Sequence, residues 1–272
     1  MVRRTVVCLL AGGSLFAPQA FAHDPVFGLG PHTLFKGGVE VHTGYHREEA
    51  GSDTDNEATL AFKYGLTGDW VIGADLPYKR IREADQSSSG VGDLTLTSKY
   101  RFWRRDSLAL QESAAVLLGV DLSNGDETKE PALGNGATDW FAGLTYGYEG
   151  RKWYRWAAIR HRFNGENDQS LRAGDKTLVD LVVGLRLTPT PYTEPDTVWM
   201  LELNGEHSQR AELNGASLAN SGGTEWFVSP GLMWTQRNFA VKTGVQVPLG
   251  SDLNGRQDDS DYRFKLELEW HL

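Results

Sequence analysis

The run Tyr262-Arg263-Phe264-Lys265-Leu266-Glu267-Leu268-Glu269-Trp270-His271-Leu272 decides the fold. Tyr262, Phe264, Leu266, Leu268, Trp270 and Leu272 alternate without a break against five charged or titratable residues. Successive side chains of a strand point to opposite faces, so this strand has one wholly apolar face and one ionised face. An apolar outside and a charged inside is the pattern of a strand in a membrane-spanning barrel. The fold class expected is all-β: a transmembrane antiparallel up-and-down barrel.

Working back from that strand, the same rhythm recurs. Eleven further segments are expected: Phe35–Tyr45, Glu57–Leu66, Trp70–Tyr78, Asp93–Phe102, Ser107–Leu122, Thr138–Tyr148, Trp153–Arg162, Thr177–Leu187, Val198–His207, Thr224–Trp234 and Phe239–Val247. Together they make twelve strands, an even number as single-chain bacterial outer-membrane barrels require. Trp153–Arg162 alternates poorly, with Arg155 and Ile159 on one parity, and is a strand mainly because the topology needs one there. Short turns are expected at Thr67–Asp69, Arg104–Asp106, Glu149–Arg151 and Gln236–Asn238. Long polar loops are expected at Arg47–Asn56, Lys79–Gly92, Ser123–Gly136, Asn164–Gly174, Ser208–Gly223 and Gly250–Asp261. Turns and loops alternate, apart from the longer Pro-rich link Thr188–Asp196 in a turn slot. One barrel end therefore carries turns and the other loops. Four aromatic pairs, Trp70/Tyr78, Trp140/Tyr148, Trp226/Trp234 and Tyr262/Trp270, share a spacing of eight residues. Eight residues on a strand tilted by about 40° rise roughly 20 Å, close to the ~25 Å apolar band that aromatic girdles flank.

The beginning of the chain reads as a secretory leader. Arg3 and Arg4 precede a short apolar stretch from Thr5 to Phe16, and Ala20-Phe21-Ala22 is a small-x-small cleavage site. Residues 1–22 are thus expected to be removed by export through the general secretory pathway. The remainder divides into an N-terminal periplasmic or lumenal segment, 23–34, and a barrel, 35–272. The only cysteine, Cys8, lies in the leader, which leaves no mature disulfide, thiolate ligand or thiol nucleophile. With 36 acidic against 27 basic residues and a net charge of −9, nucleic acid is not an expected partner. Beyond the leader no apolar run approaches the ~20 residues of a membrane helix. A Gram-negative outer membrane, with its lipid and lipopolysaccharide, is the expected setting. The C-terminal strand is the expected handle for the barrel-assembly machinery.

Gly92-Asp93-Leu94-Thr95-Leu96-Thr97-Ser98-Lys99-Tyr100-Arg101-Phe102, with Tyr64-Gly65-Leu66-Thr67 and Asp75-Leu76-Pro77-Tyr78, resembles a family of bacterial outer-membrane proteins named for the MetA pathway of phenol degradation. The resemblance implies a barrel of about twelve strands and a transport role. It supplies no catalytic residue and does not imply phenol.

The inward faces are the expected functional surface. Parity places Lys36, Glu40, His42, Lys63, Asp75, Lys99, Arg101, Asp180, Arg186, Glu202, Glu206, Lys242, Arg263, Lys265, Glu267 and Glu269 in the lumen. Buried charges must pair or stay wet, so the lumen is a water-filled channel or a salt-bridged plug. The segment 23–36, rich in Pro and Gly, is long enough to fold back into it. His23, His42 and His46 are candidate metal ligands, since imidazole suits Cu, Zn or Ni and a mature terminus at His23 would offer its amine as well. No cofactor is expected. An enzyme is not expected either: in Arg160-His161-Arg162-Phe163-Asn164-Gly165, which resembles the active-site stretch of outer-membrane lipid hydrolases, Phe163 stands where the serine nucleophile is needed. Glu206-His207-Ser208 puts His and Ser on opposite faces, a poor geometry for proton transfer. The acidic loop residues Asp53, Asp55, Asp168, Asp258, Asp259 and Asp261 do not fit a calcium-loop spacing. Passive passage of small solutes is the expected function, with a non-conducting structural or ligand-binding barrel as the alternative.

Overall fold

A computed structural model describes residues 23–191 and 194–272. The predicted leader lies outside the described residues. The strands are β1 Val39–Ala50, β2 Asp53–Thr67, β3 Trp70–Glu83, β4 Gln86–Val91, β5 Thr95–Ser107, β6 Leu110–Asp121, β7 Asp139–Gly150, β8 Trp153–Phe163, β9 Leu171–Arg172, β10 Lys176–Arg186, β11 Asp196–Ser208, β12 Glu212–Leu213, β13 Ala216–Ser217, β14 Gly223–Gln236, β15 Phe239–Leu253 and β16 Ser260–His271. Twelve of them form the barrel. Each pairs antiparallel with its neighbours, and β1 against β16 closes the ring. Closure leaves no free sheet edge, which is what permits strands to cross a bilayer. β4 is a hairpin extension of β3, and β9, β12 and β13 form a small sheet among the loops.

Several strands run further than the sequence indicates. The expected loop Arg47–Asn56 is a two-residue turn at Gly51-Ser52, because Glu48↔Asp55 and Ala50↔Asp53 remain paired. Likewise β3 continues to Glu83 against β4, and β15 reaches Leu253. Arg104–Asp106 is no turn: it pairs with Gln111–Ser113, and the turn falls at Leu108-Ala109. Charged residues resemble loop chemistry in sequence, but strands that extend past the apolar band can carry them on both faces while the ladder still satisfies the backbone. Phe35 and Lys36 are likewise not in a strand; β1 begins at Val39.

The outer face is apolar around the ring. Leu60, Phe62, Leu144, Leu181, Val183 and Leu201 are each about half exposed. A soluble protein does not leave a continuous apolar belt of this size uncovered, so the belt faces lipid. Trp234 lies opposite Thr197 and Trp226 opposite Gly205, which places Leu201 midway between the two aromatic levels. Leu201→Arg is therefore expected to lose about 2–4 kcal/mol of folding stability in a bilayer. Denaturant titration of vesicle-inserted protein checks this; unchanged stability would mean that the face is not in hydrocarbon.

Candidate functional site

The segment His23–Gly38 enters the lumen at the turn end, crosses it, and returns. It begins at the β1/β16 seam, where His23 Nδ1 lies 2.7 Å from Glu269 Oε2. Asp24 then pairs with Lys99 at 3.1 Å and Lys63 at 3.9 Å, and Lys99 also donates to the Gly30 carbonyl at 3.0 Å. Across the lumen, Glu202 on β11 accepts hydrogen bonds from three consecutive backbone amides, Val26 (2.8 Å), Phe27 (3.2 Å to one oxygen, 3.3 Å to the other) and Gly28 (2.8 Å). On the way back, Thr145 donates to the Leu29 carbonyl at 2.9 Å. His32 Nε2 lies 2.7 Å from Glu149, and Thr33 donates to the Gly68 carbonyl at 2.8 Å in the β2–β3 turn.

Two features of the barrel wall make room for this segment. One is an inward apolar cluster of Trp156, Val182, Val198, Met200 and Met233 packed around the fully buried Val26. The other is a set of inward glycines. A Cβ on Gly231 would stand 2.9 Å from Val26 Cγ2, one on Gly244 2.9 Å from Phe27 Cε2, and one on Gly147 2.8 Å from Pro31 Cγ. Those distances are below what carbon contacts allow, so the side chains of Val26, Phe27 and Pro31 fit only because these wall positions lack a Cβ. β8 alternates poorly in sequence for the same reason: Tyr154, Trp156 and Ala158 face inward against the segment, while Arg155 lies outside over the Tyr148 ring, 5.2 Å from its centroid.

The charges sort into tiers. Near the turn end, Lys63 holds Glu40 at 2.8 Å and Lys242 bridges Glu267 (2.7 Å) and Glu269 (2.5 Å). His42 Nδ1 is 3.5 Å from Glu40. Further up, Arg263 bridges Glu206 (2.6 Å) and Glu48 (3.0 Å), and Lys265 pairs with Glu267 at 2.8 Å. Asp180 accepts from Arg160 and from Asn204 Nδ2, both at 2.8 Å. Two residues anchor the turn end itself: Arg101 donates to Asp69 and to the Gly68 carbonyl, and Arg186 lies 2.5 Å from Asp196. Lys36, expected in the lumen, lies instead exposed in the turn before β1, because β1 starts only at Val39 and parity does not extend back to it.

Above the segment is a cavity of ~880 Å³, with Phe27 at its floor. Its walls carry Asp75, Asp139, Asp180 and Glu206 together with Arg160, Arg162, Arg263 and Lys265, and His42 and His46 border it. The loop 122–138 folds over part of its rim. Asp93 anchors that loop by accepting from the backbone amides of Gly125 (2.7 Å) and Asn135 (3.1 Å). In the same loop, hydrogen bonds from the Thr128 hydroxyl and backbone amide hold the Asp126 carboxyl below its usual range. Of the histidines weighed as part of a hydrolase, His161 Nδ1 meets Thr177 and His207 Nδ1 meets Thr224, at 2.9 and 2.8 Å. Sequence reasoning missed the inward glycines and the wall cluster, although both were visible as non-polar residues at inward parity.

Comparison with solved structures places the fold. The chain is similar to the COG4313 outer membrane channel from Pseudomonas putida F1, with a TM-score of 0.72 at 17% identity, covering 92% of this chain and 100% of that one. It is also similar to the beta domain of the Bordetella autotransporter BrkA, with a TM-score of 0.51 at 9% identity over 87% of this chain and 100% of that one. No curated protein matches. The family model described as "Putative MetA-pathway of phenol degradation" matches residues 80–215, half of the chain and inclusive of the Gly92–Phe102 motif. The chain belongs to that family.

Proposed function

We propose that the protein is an outer-membrane channel through which small polar solutes pass passively. The observation that carries this reading is the ~880 Å³ cavity enclosed by a closed twelve-strand ring and lined by ionised groups of both signs. The ion pairs Arg263–Glu206, Arg160–Asp180 and Lys265–Glu267 ring this space without filling it, and an open lumen with polar walls supports a conduit. The apolar belt sets the barrel in lipid, with lipopolysaccharide around the loop end, and β16 is the strand through which the assembly machinery would engage it. The segment 23–34 acts as a constriction at the turn end, so that passage needs its displacement. Nothing in the mechanism requires a reaction or a cofactor.

Planar-bilayer recording of the purified chain tests this. Reproducible unitary steps are expected, with many closures while the segment is docked. Nine carboxylates and six Lys or Arg side chains line the cavity, so a weak cation preference is expected in the reversal potential under a salt gradient. Silence in bilayers, with the barrel shown to be inserted, would favour a non-conducting barrel instead.

A further inference from the structure

The sequence brings three histidines into consideration as metal ligands, and the structure separates them. His46 borders the upper cavity. His23 instead meets a residue at the far end of the chain: its Nδ1 lies 3.4 Å from His271 Nε2 and 2.7 Å from Glu269 Oε2. All three side chains are buried, and their ligand atoms lie within 4.8 Å of one another. Zn–N bonds of about 2.0–2.1 Å at tetrahedral angles put two ligand nitrogens roughly 3.3–3.4 Å apart. The two imidazoles already stand at that separation.

The surroundings suit a cation as well. Only one oxygen of Glu269 faces the histidines; the other is held by Lys242 at 2.5 Å, which orients the carboxylate for monodentate ligation. The second nitrogen of His271, Nδ1, lies 3.6 Å from Glu40 Oε2. That separation is longer than a hydrogen bond, but it puts a carboxylate on the side of the non-ligating nitrogen, where metal-bound histidines commonly keep one. Glu40 and Glu269 also form a second group with His42 whose ligand atoms lie within 4.8 Å of one another. A small void of ~50 Å³, bordered by His23, Glu40 and Glu269, adjoins the group. If export removes the leader ahead of His23, the new α-amine and the His23 imidazole would form a chelate and supply a further nitrogen.

We propose that His23, His271 and Glu269 form a binding site for one first-row divalent cation, Zn²⁺ or Cu²⁺. Two imidazoles and one carboxylate are the donor set these ions share. An ion held there links the first residue of the lumenal segment to the last three residues of β16, across the seam where the barrel closes. The site is independent of whether the barrel conducts.

The test uses the full processed chain, purified from membranes in detergent, stripped with a chelator and titrated calorimetrically with Zn²⁺ and, separately, Cu²⁺. One ion per barrel is expected. His271→Gln and Glu269→Gln are expected to weaken binding by about 100-fold or more, since even the loss of an outer-shell partner costs 10–100-fold. His46→Gln is expected to bind as the parent does. Heat-modifiable migration on gels establishes that each variant remains a closed barrel, and a variant that fails this check is replaced by His271→Asn or Glu269→Ala. Absence of saturable binding by the parent overturns the proposal, as does binding unaffected by substitution at 271 and 269, which would assign the ion to the amino terminus alone.

Discussion

Glu202→Ala is expected to free the lumenal segment and raise the time the channel spends open, while leaving the barrel intact. Glu202 is 1% exposed and its carboxylate is the acceptor for the amides of Val26, Phe27 and Gly28. Hydrogen bonds to an ionised group contribute about 1.5–3 kcal/mol each, and a buried amide left without an acceptor costs about 1–3 kcal/mol. Water from the cavity above would reach some of these amides, so the net loss of docking energy is on the order of 3 kcal/mol rather than the full sum. At 1.4 kcal/mol per decade, that multiplies the undocked population by roughly 100. Glu202→Gln keeps one acceptor and loses the charge, so a smaller increase is expected. The backbone of Glu202 still pairs with Val182 and Ser229, and no ladder bond depends on its side chain. Open probability in single-channel recordings reads the effect. A Glu202→Ala channel indistinguishable from the parent would mean that these three hydrogen bonds do not hold the segment.

What the sequence made legible was the lipid side of the wall. Apart from the bulge that exposes both Phe102 and Trp103, the apolar residues facing hydrocarbon obey one rule, period two, because lipid is a uniform solvent. The lumen has no such uniformity. Where it is wet, as around Asp180, Arg160 and Arg263, inward residues are charged and parity locates them. Where the segment fills it, the inward residues are Trp156, Val182, Val198, Met200 and Met233, and alternation disappears because both faces are apolar. That is why β8 read as the weakest strand. Which carboxylates meet the segment cannot be read from parity either: Glu202 and Glu206 share a face four residues apart, yet one caps backbone amides and the other pairs with Arg263. The His23–His271 contact joins residues 248 apart, and only the closure of β1 on β16 brings them together. Strand ends were misplaced because charge beyond the membrane band resembles loop composition.

Deleting residues 24–33 is expected to give a larger change still: a channel of higher unitary conductance that rarely closes. The deletion removes Val26 and Phe27 from the middle of the lumen together with Asp24, the partner of Lys99 and Lys63. Taken alone, loss of Asp24 with the segment still in place would leave Lys99 buried without its carboxylate, a situation that costs about 3–5 kcal/mol. Asp24→Asn does not reach that cost if the segment can leave, because undocking lets water reach the lysine; the penalty is capped by the docking energy. The same reasoning predicts that the full deletion is mild for the barrel. Lys63 retains Glu40, Lys242 retains Glu267 and Glu269, and Lys99 becomes hydrated. The twelve-strand ladder is closed by β1 and β16 without any bond from residues 24–33. Asp24→Asn and the deletion should therefore both open the channel, while the barrel still folds and loses no more stability than the docking energy of the segment. A deletion variant that forms heat-modifiable barrels yet conducts like the parent would show that the constriction lies elsewhere, in the loop 122–138 that Asp93 holds over the mouth.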